Sequence, residues 1–218
     1  MHIPDGFLSA QTWIPAWIVS LAGIGYSLKR ATRVVKDRLI PLMGVMAAFI
    51  FAAQMLNFPV MTGTSGHLLG GVLAAVLLGP YAGAVVITVV LIVQCLVFQD
   101  GGLTALGANI LNMGLIGTIA AYYVFKLLLM IIGKQGLLAA VAVAAWLSVV
   151  LASAACALEL AISGTSPIAI ALPAMTGVHA LIGLGEAVIT VLIVGFVLRT
   201  RPDLLYGMNP RPAEADNG

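Results

Sequence analysis

The first two residues, Met1 and His2, can do coordination chemistry together. A free amine followed by histidine offers an amine nitrogen, the amide nitrogen of residue two once deprotonated, and imidazole Nδ1. These three donors close fused five- and six-membered chelate rings. Nitrogen donors in a plane suit Ni(II) or Cu(II), and one further imidazole closes the square. His67 is the candidate for that fourth position. Loss of the amide proton makes such binding strongly pH-dependent. An initiator Met before a residue as bulky as His is expected to be retained. The opening Met1-His2-Ile3-Pro4-Asp5-Gly6 has a carboxylate where a secretory signal carries positive charge, so the mature chain is expected to start at Met1.

A histidine at position two is, taken alone, an ordinary tail residue. Its weight comes from Ile3-Pro4-Asp5-Gly6-Phe7-Leu8, a stiff apolar continuation able to tuck the terminus into a protein interior. Asp5 is then expected to orient a ligand from behind. His67 ends the segment Asn57 to His67, which is too polar and Gly-rich to face lipid and suits a buried or cavity-lining path. Within it, Asn57, Thr64 and Ser65 are candidates to support a ligand or line a pathway. His179 and Glu186, seven apart, share one helix face, and Glu186 sits near the middle of an apolar span where charge is expensive. The pair reads either as part of a proton or ion path or, for Glu186, as an interhelical hydrogen-bonding anchor. Ala48 and Ala52 form a small-residue face that serves internal packing or docks another membrane subunit. The stretch Gly107 to Gly117, with Asn109 and Asn112, permits close helix approach. Cys95 and Cys156 lie inside apolar runs with no CxxC partner and read as small buried residues.

The elements that must position these groups are membrane helices. Of 218 residues, 61% are hydrophobic and 8% charged, against roughly 25% charged in soluble domains; mean hydropathy is +1.12. The expected fold is an all-α, polytopic integral membrane protein of the cell membrane. It forms one transmembrane domain over 1–200 and a cytoplasmic tail over 201–218. Apolar runs predict seven spans: Trp13 to Leu28, Leu39 to Leu56, His67 to Leu78, Gly83 to Phe98, Ala108 to Met130, Leu137 to Ile162, and Met175 to Leu198. The basic cluster Lys29, Arg30, Arg33, Lys36 and Arg38 belongs in the cytoplasm, which puts the N-terminus outside and the C-terminus inside. Dropping the third span would throw Lys126, Lys134, Arg199, Arg201 and Arg211 to the outside, so seven is the consistent count. The net charge of +2 therefore reports topology, and no nucleic-acid partner is expected.

Met1 to Leu8, Asn57 to Gly71, Asp100 to Asn109 and Gly177-Val178-His179-Ala180 resemble the CbiM/NikM family over nearly the whole chain. The resemblance implies the substrate-binding S component of an energy-coupling factor transporter for Ni(II) or Co(II). It implies ligands from the Met1 amine, the His2 amide and imidazole, and the His67 imidazole. The implied partners are a transmembrane coupling (T) component, cytoplasmic ATP-binding cassette ATPases and a small accessory membrane subunit, with the Ala48 and Ala52 face as a contact. Ni(II) is preferred on donor type, and a Co(II) uptake subunit for cobalamin synthesis is the alternative. No GxxxxGK[ST] phosphate loop occurs, in keeping with power supplied by another chain. A membrane metalloenzyme would need an open coordination position and a base, and the chain has no HExxH. A passive channel would need polar residues along the inner halves of the spans, which are largely Ala, Val, Leu and Ile.

Overall fold

A computed structural model describes residues 1–35, 39–60 and 64–207. Lys36 and Arg38 of the basic cluster, residues 61–63 of the outer segment, and Arg211 with the rest of 208–218 lie outside the described residues. The helices are α1 Ala10–Val34, α2 Ile40–Gln54, α3 Gly71–Leu78, α4 Pro80–Phe98, α5 Leu106–Ile132, α6 Leu137–Ile162 and α7 Ile168–Thr200. The only strands among the described residues are β1 Phe58–Pro59 and β2 Ser65–Gly66, antiparallel, with Phe58 opposite Gly66 and Pro59 opposite Ser65. Four helices, α4 to α7, are each long and apolar enough to cross a membrane alone. The fold is that of an all-α membrane protein. In α7 the buried residues Met175, His179, Gly183, Glu186, Thr190 and Val194 recur every three or four positions. Leu181, Leu184, Val188, Leu192 and Phe196 face outward, so the outer face of the helix is apolar, as a lipid-exposed span must be.

The third span departs from the expected helix. Its helix starts only at Gly71, because residues 67–70 run as irregular backbone between β2 and α3. Gly70 takes a positive φ of 75° and caps the helix, and Gly79, at φ 88°, turns the chain sharply into α4, where Pro80 suits the first helical turn. Extended over 64–70 and helical over eight residues, this segment reaches up to about 35 Å, enough for a hydrocarbon core of about 30 Å. With it counted as a crossing, Lys29, Arg30 and Arg33 at the end of α1, Lys134 between α5 and α6, and Arg199 at the end of α7 share one face.

All eight residues of α3 are buried, and the helix packs among α4, α5 and α6. A Cβ on Gly71 would stand 2.2 Å from the Gly117 carbonyl oxygen, so α3 touches the backbone of α5 directly. There, over Ile110–Ala120, α5 is π-helical, a form concentrated at functional sites. The Thr118 hydroxyl donates to the Met113 carbonyl at 2.8 Å. Cys95 and Cys156 are buried and unpaired. Ala48 and Ala52 are exposed on α2, so their face is not used for internal packing.

Irregular backbone in a membrane interior needs acceptors from elsewhere. Glu186 provides them: the amides of Leu69 and Gly70 donate to its carboxylate at 2.8 and 2.7 Å. The Gln54 side-chain amide donates to the Leu69 carbonyl at 2.8 Å. Glu186 is thus an interhelical anchor that caps α3, where an anion also meets the positive end of the helix. We expect Glu186→Ala to cost about 1–3 kcal/mol for each amide left buried without an acceptor, lowering the midpoint of thermal unfolding followed by circular dichroism in detergent. Glu186→Gln, which keeps one acceptor, should lose less.

Candidate metal centre

The N-terminal segment enters the protein as backbone without regular structure and is held by the loop after α4. Met1 and Ile3 are fully buried, and His2 is 3% exposed. The Ile3 amide donates to Asn109 Oδ1 at 2.9 Å, while the Gly102 amide and Asn109 Nδ2 both donate to the Ile3 carbonyl, at 2.9 and 3.3 Å. Farther out, the amides of Leu103 and Thr104 and the Thr104 hydroxyl donate to the Asp5 carboxylate. Those donors hold the Asp5 carboxylate below its ordinary range, the Thr104 hydroxyl first among them. Asp5 is therefore engaged in clamping the segment to the loop. The fit depends on glycine: a Cβ on Gly102 would lie 2.2 Å from the Asp5 amide nitrogen, and one on Gly101 would press on Asn109 and His2.

This clamp delivers the first two residues to β2 and His67. The Met1 amine and the His2 amide lie 3.4 and 3.3 Å from Ser65 Oγ, which accepts from both. The His2 and His67 rings stack with centroids 4.5 Å apart and planes inclined by 26°. His2 Nε2 is 3.0 Å from Gln94 Oε1; since that oxygen only accepts, the proton is assigned to Nε2 and Nδ1 keeps its lone pair. His67 Nδ1 likewise donates to the Leu68 carbonyl at 2.7 Å, which leaves Nε2 bare. Both bare nitrogens, His2 Nδ1 and His67 Nε2, are buried without a hydrogen-bond partner. A ring N–H tied to a carbonyl with the other nitrogen open is how metal-binding histidines are held.

The electrostatics favour neutral donors. Burial pushes the Met1 amine down from its ordinary 8.0 to about 5. Burial pushes His2 down from 6.5 to about 3. Amine and imidazole therefore both hold open lone pairs at neutral pH. Among the described residues no three His, Cys, Asp or Glu side chains converge into a cation-binding cluster. What does gather here is the Met1 amine and the His2 amide on Ser65 Oγ, beside the stacked His2 and His67 rings.

The other candidates stand around this point. Thr64 is buried, and its hydroxyl donates to Met175 Sδ at 3.0 Å. His179 donates from Nδ1 to the Met175 carbonyl at 2.7 Å, with Nε2 buried and unpartnered. Glu186 acts on the backbone two and three residues past His67. Asn57 is exposed and approaches the Asp100 carboxylate from the outer side. Sequence reasoning did not single out Gln94 and Gln54, each a lone amide in an apolar helix; that isolation was their available signal. Nor did it assign a role to Asp100, or to Asn109 beyond packing.

Buried irregular segments presenting bare nitrogen atoms inside a polytopic helical bundle make a membrane protein whose interior is suited to holding a cation. A family described as the cobalt uptake substrate-specific transmembrane region matches residues 2–204, and the chain belongs to this family, CbiM. It is 44% identical over 207 residues to a putative fused nickel transport protein NikMN of Archaeoglobus fulgidus, covering 94% of this chain and 68% of that one. It is 38% identical over 208 residues to a putative metal transport protein of Haloquadratum walsbyi, covering 94% of each. A crystal structure of a truncated transition metal transporter superposes with a TM-score of 0.85 at 32% identity, over 91% of this chain and 99% of that one. The protein is a multi-pass metal-uptake protein, a transporter component rather than an enzyme.

We expect Gly102→Ala to displace residues 1–5, because the added methyl has no room against the Asp5 backbone. The check is digestion of the detergent-solubilised protein by an aminopeptidase: Met1 should resist release in the native chain and be released faster in the variant.

Proposed function

We propose that the chain is the substrate-binding subunit of an energy-coupling factor transporter and that its cargo is Ni(II). The Met1 amine, the His2 amide, His2 Nδ1 and His67 Nε2 are its four donors. The observation that carries this reading is the joint burial of a neutral terminal amine with two bare imidazole nitrogens, around one serine hydroxyl. Four nitrogens in a plane favour Ni(II) over Co(II), and the nickel transport relative supports the same choice. The family's cobalt description keeps Co(II) as the second reading. To act as a donor the His2 amide, now directed at Ser65 Oγ, would have to release its proton to bulk water, leaving an amidate nitrogen for the ion.

The chain carries no phosphate loop, so ATP hydrolysis falls to partner ATPases coupled through a second membrane subunit, with a small accessory subunit beside it. The exposed Ala48 and Ala52 face of α2 suits that contact, because small side chains let a partner helix approach closely. Gln54, at the end of the same helix, holds the Leu69 carbonyl, so movement of α2 would be felt two residues from His67.

Purified protein should bind one Ni(II) per chain and show a square-planar visible band. One residue added before Met1 should abolish both, since it replaces the terminal amine by an amide and needs space the core lacks. Equal binding by native and extended chains would remove the terminal chelate from consideration. In direct competition Ni(II) should displace Co(II), and the reverse order would make this a cobalt subunit.

A further inference from the structure

The four-nitrogen site of the proposed function leaves a charge unaccounted for. A divalent ion on a neutral amine, two neutral imidazoles and one amidate retains a net charge of +1. It does so where Met1 and His67 are 0% and His2 3% exposed. An uncompensated buried charge is costly unless a counter-charge stands beside it.

Asp100 stands there. Its Oδ1 lies 3.3 Å from His2 Nδ1, the nitrogen assigned to the chelate, and no proton lies between them because the ring N–H is directed at Gln94. Neither Nδ1 nor Asp100 Oδ2 has a hydrogen-bond partner, and both atoms are buried. His2 Nδ1 and Asp100 Oδ1 are thus two lone-pair-bearing atoms facing one another, a repulsive arrangement that a cation beside them turns attractive.

The local backbone is bent to make this approach. Gln99 takes a positive φ of 56°, rare for a residue with a side chain, and Gly101 follows at φ 94°. The Asp100 amide donates back to the Gln94 carbonyl at 3.0 Å. The residue that orients the His2 ring and the residue facing its open nitrogen are therefore set by one turn at the end of α4.

We propose that Asp100 is the counter-charge of the metal site: its carboxylate lies beside the nitrogen square and neutralises the residual positive charge of the bound ion. The inference rests on the four-nitrogen reading given above. Asp100 does not replace a nitrogen donor, so its removal changes how tightly the ion is held and not the donor set that the ion's spectrum reports. The same carboxylate makes the site favour a divalent over a monovalent cation.

The experiment compares the native chain with Asp100→Asn and Asp100→Glu, using Ni(II) alone as the probe, in titration calorimetry, visible absorption and thermal unfolding with and without metal. Asp100→Asn keeps the shape and removes the charge. It should weaken Ni(II) binding by about 10- to 100-fold while leaving the absorption band at its native energy. Without metal it should melt no lower than the native chain, because the carboxylate facing the lone pair of His2 Nδ1 has been removed. Asp100→Glu restores the charge and should recover most of the affinity. Affinity within a few-fold of native in Asp100→Asn overturns the proposal. So does a shifted band, which would make Asp100 a direct ligand, or a lower metal-free melting point, which would make it a support for His2. Failure of the four-nitrogen reading is separate: it appears as equal binding by the native and N-terminally extended chains, before any change at Asp100.

Discussion

Two stretches of non-helical chain meet inside this bundle, and their backbone groups cannot turn to lipid for hydrogen bonds. Residues 1–8 come in from one end of the sequence and residues 64–70 from the third crossing. Each is accompanied by buried polar side chains that take up part of the hydrogen bonding helices would have made internally. Asn109 binds both sides of the Ile3 peptide, and Glu186 and Gln54 take the amides and carbonyl of 69–70. Without these partners both stretches would be driven out of the core or into helix, and the nitrogen donors would never share a location.

The same constraint accounts for the frame. Small residues stand where backbones must touch: Gly71 against the Gly117 carbonyl, Gly102 against Asp5, and Gly107 against Trp17. The π-helical stretch of α5 begins directly after Asn109 and includes Asn112, which donates to Glu159 at 2.6 Å. Side chains that would be unfavourable in lipid thus become fasteners between helices. A carboxylate such as Glu186 is affordable in the interior because two amides meet it.

Rigidity then becomes chemistry. The Met1 amine and the His2 ring are neutral because they are buried, and each histidine presents one bare nitrogen because the other is tied to an oxygen. A donor set made partly of main-chain nitrogen needs few special residues. On the proposed donor set it is also demanding, since the Met1 amine must lie at the site without slack, and the clamp from Ile3 to Asp5 limits that slack.

The sequence alone determined much of this protein. Its hydropathy implied a helical membrane protein, the positions of its basic residues implied seven crossings with a common inner face, and Met1, His2 and His67 were offered as candidate nitrogen donors. Those properties are local: an apolar run, a charge beside it, or two adjacent residues carries its meaning wherever the chain goes. Tertiary structure decided the rest. It made the third crossing half extended, chose the hydrogen-bonding anchor over the ion path for Glu186, gave Asp5 to the loop clamp, turned Ala48 and Ala52 outward, and brought Gln94 and Asp100 to His2. Each of these is a pairing between groups tens to more than a hundred residues apart. Helical periodicity reports which face of a segment is buried, but not which distant segment it is buried against.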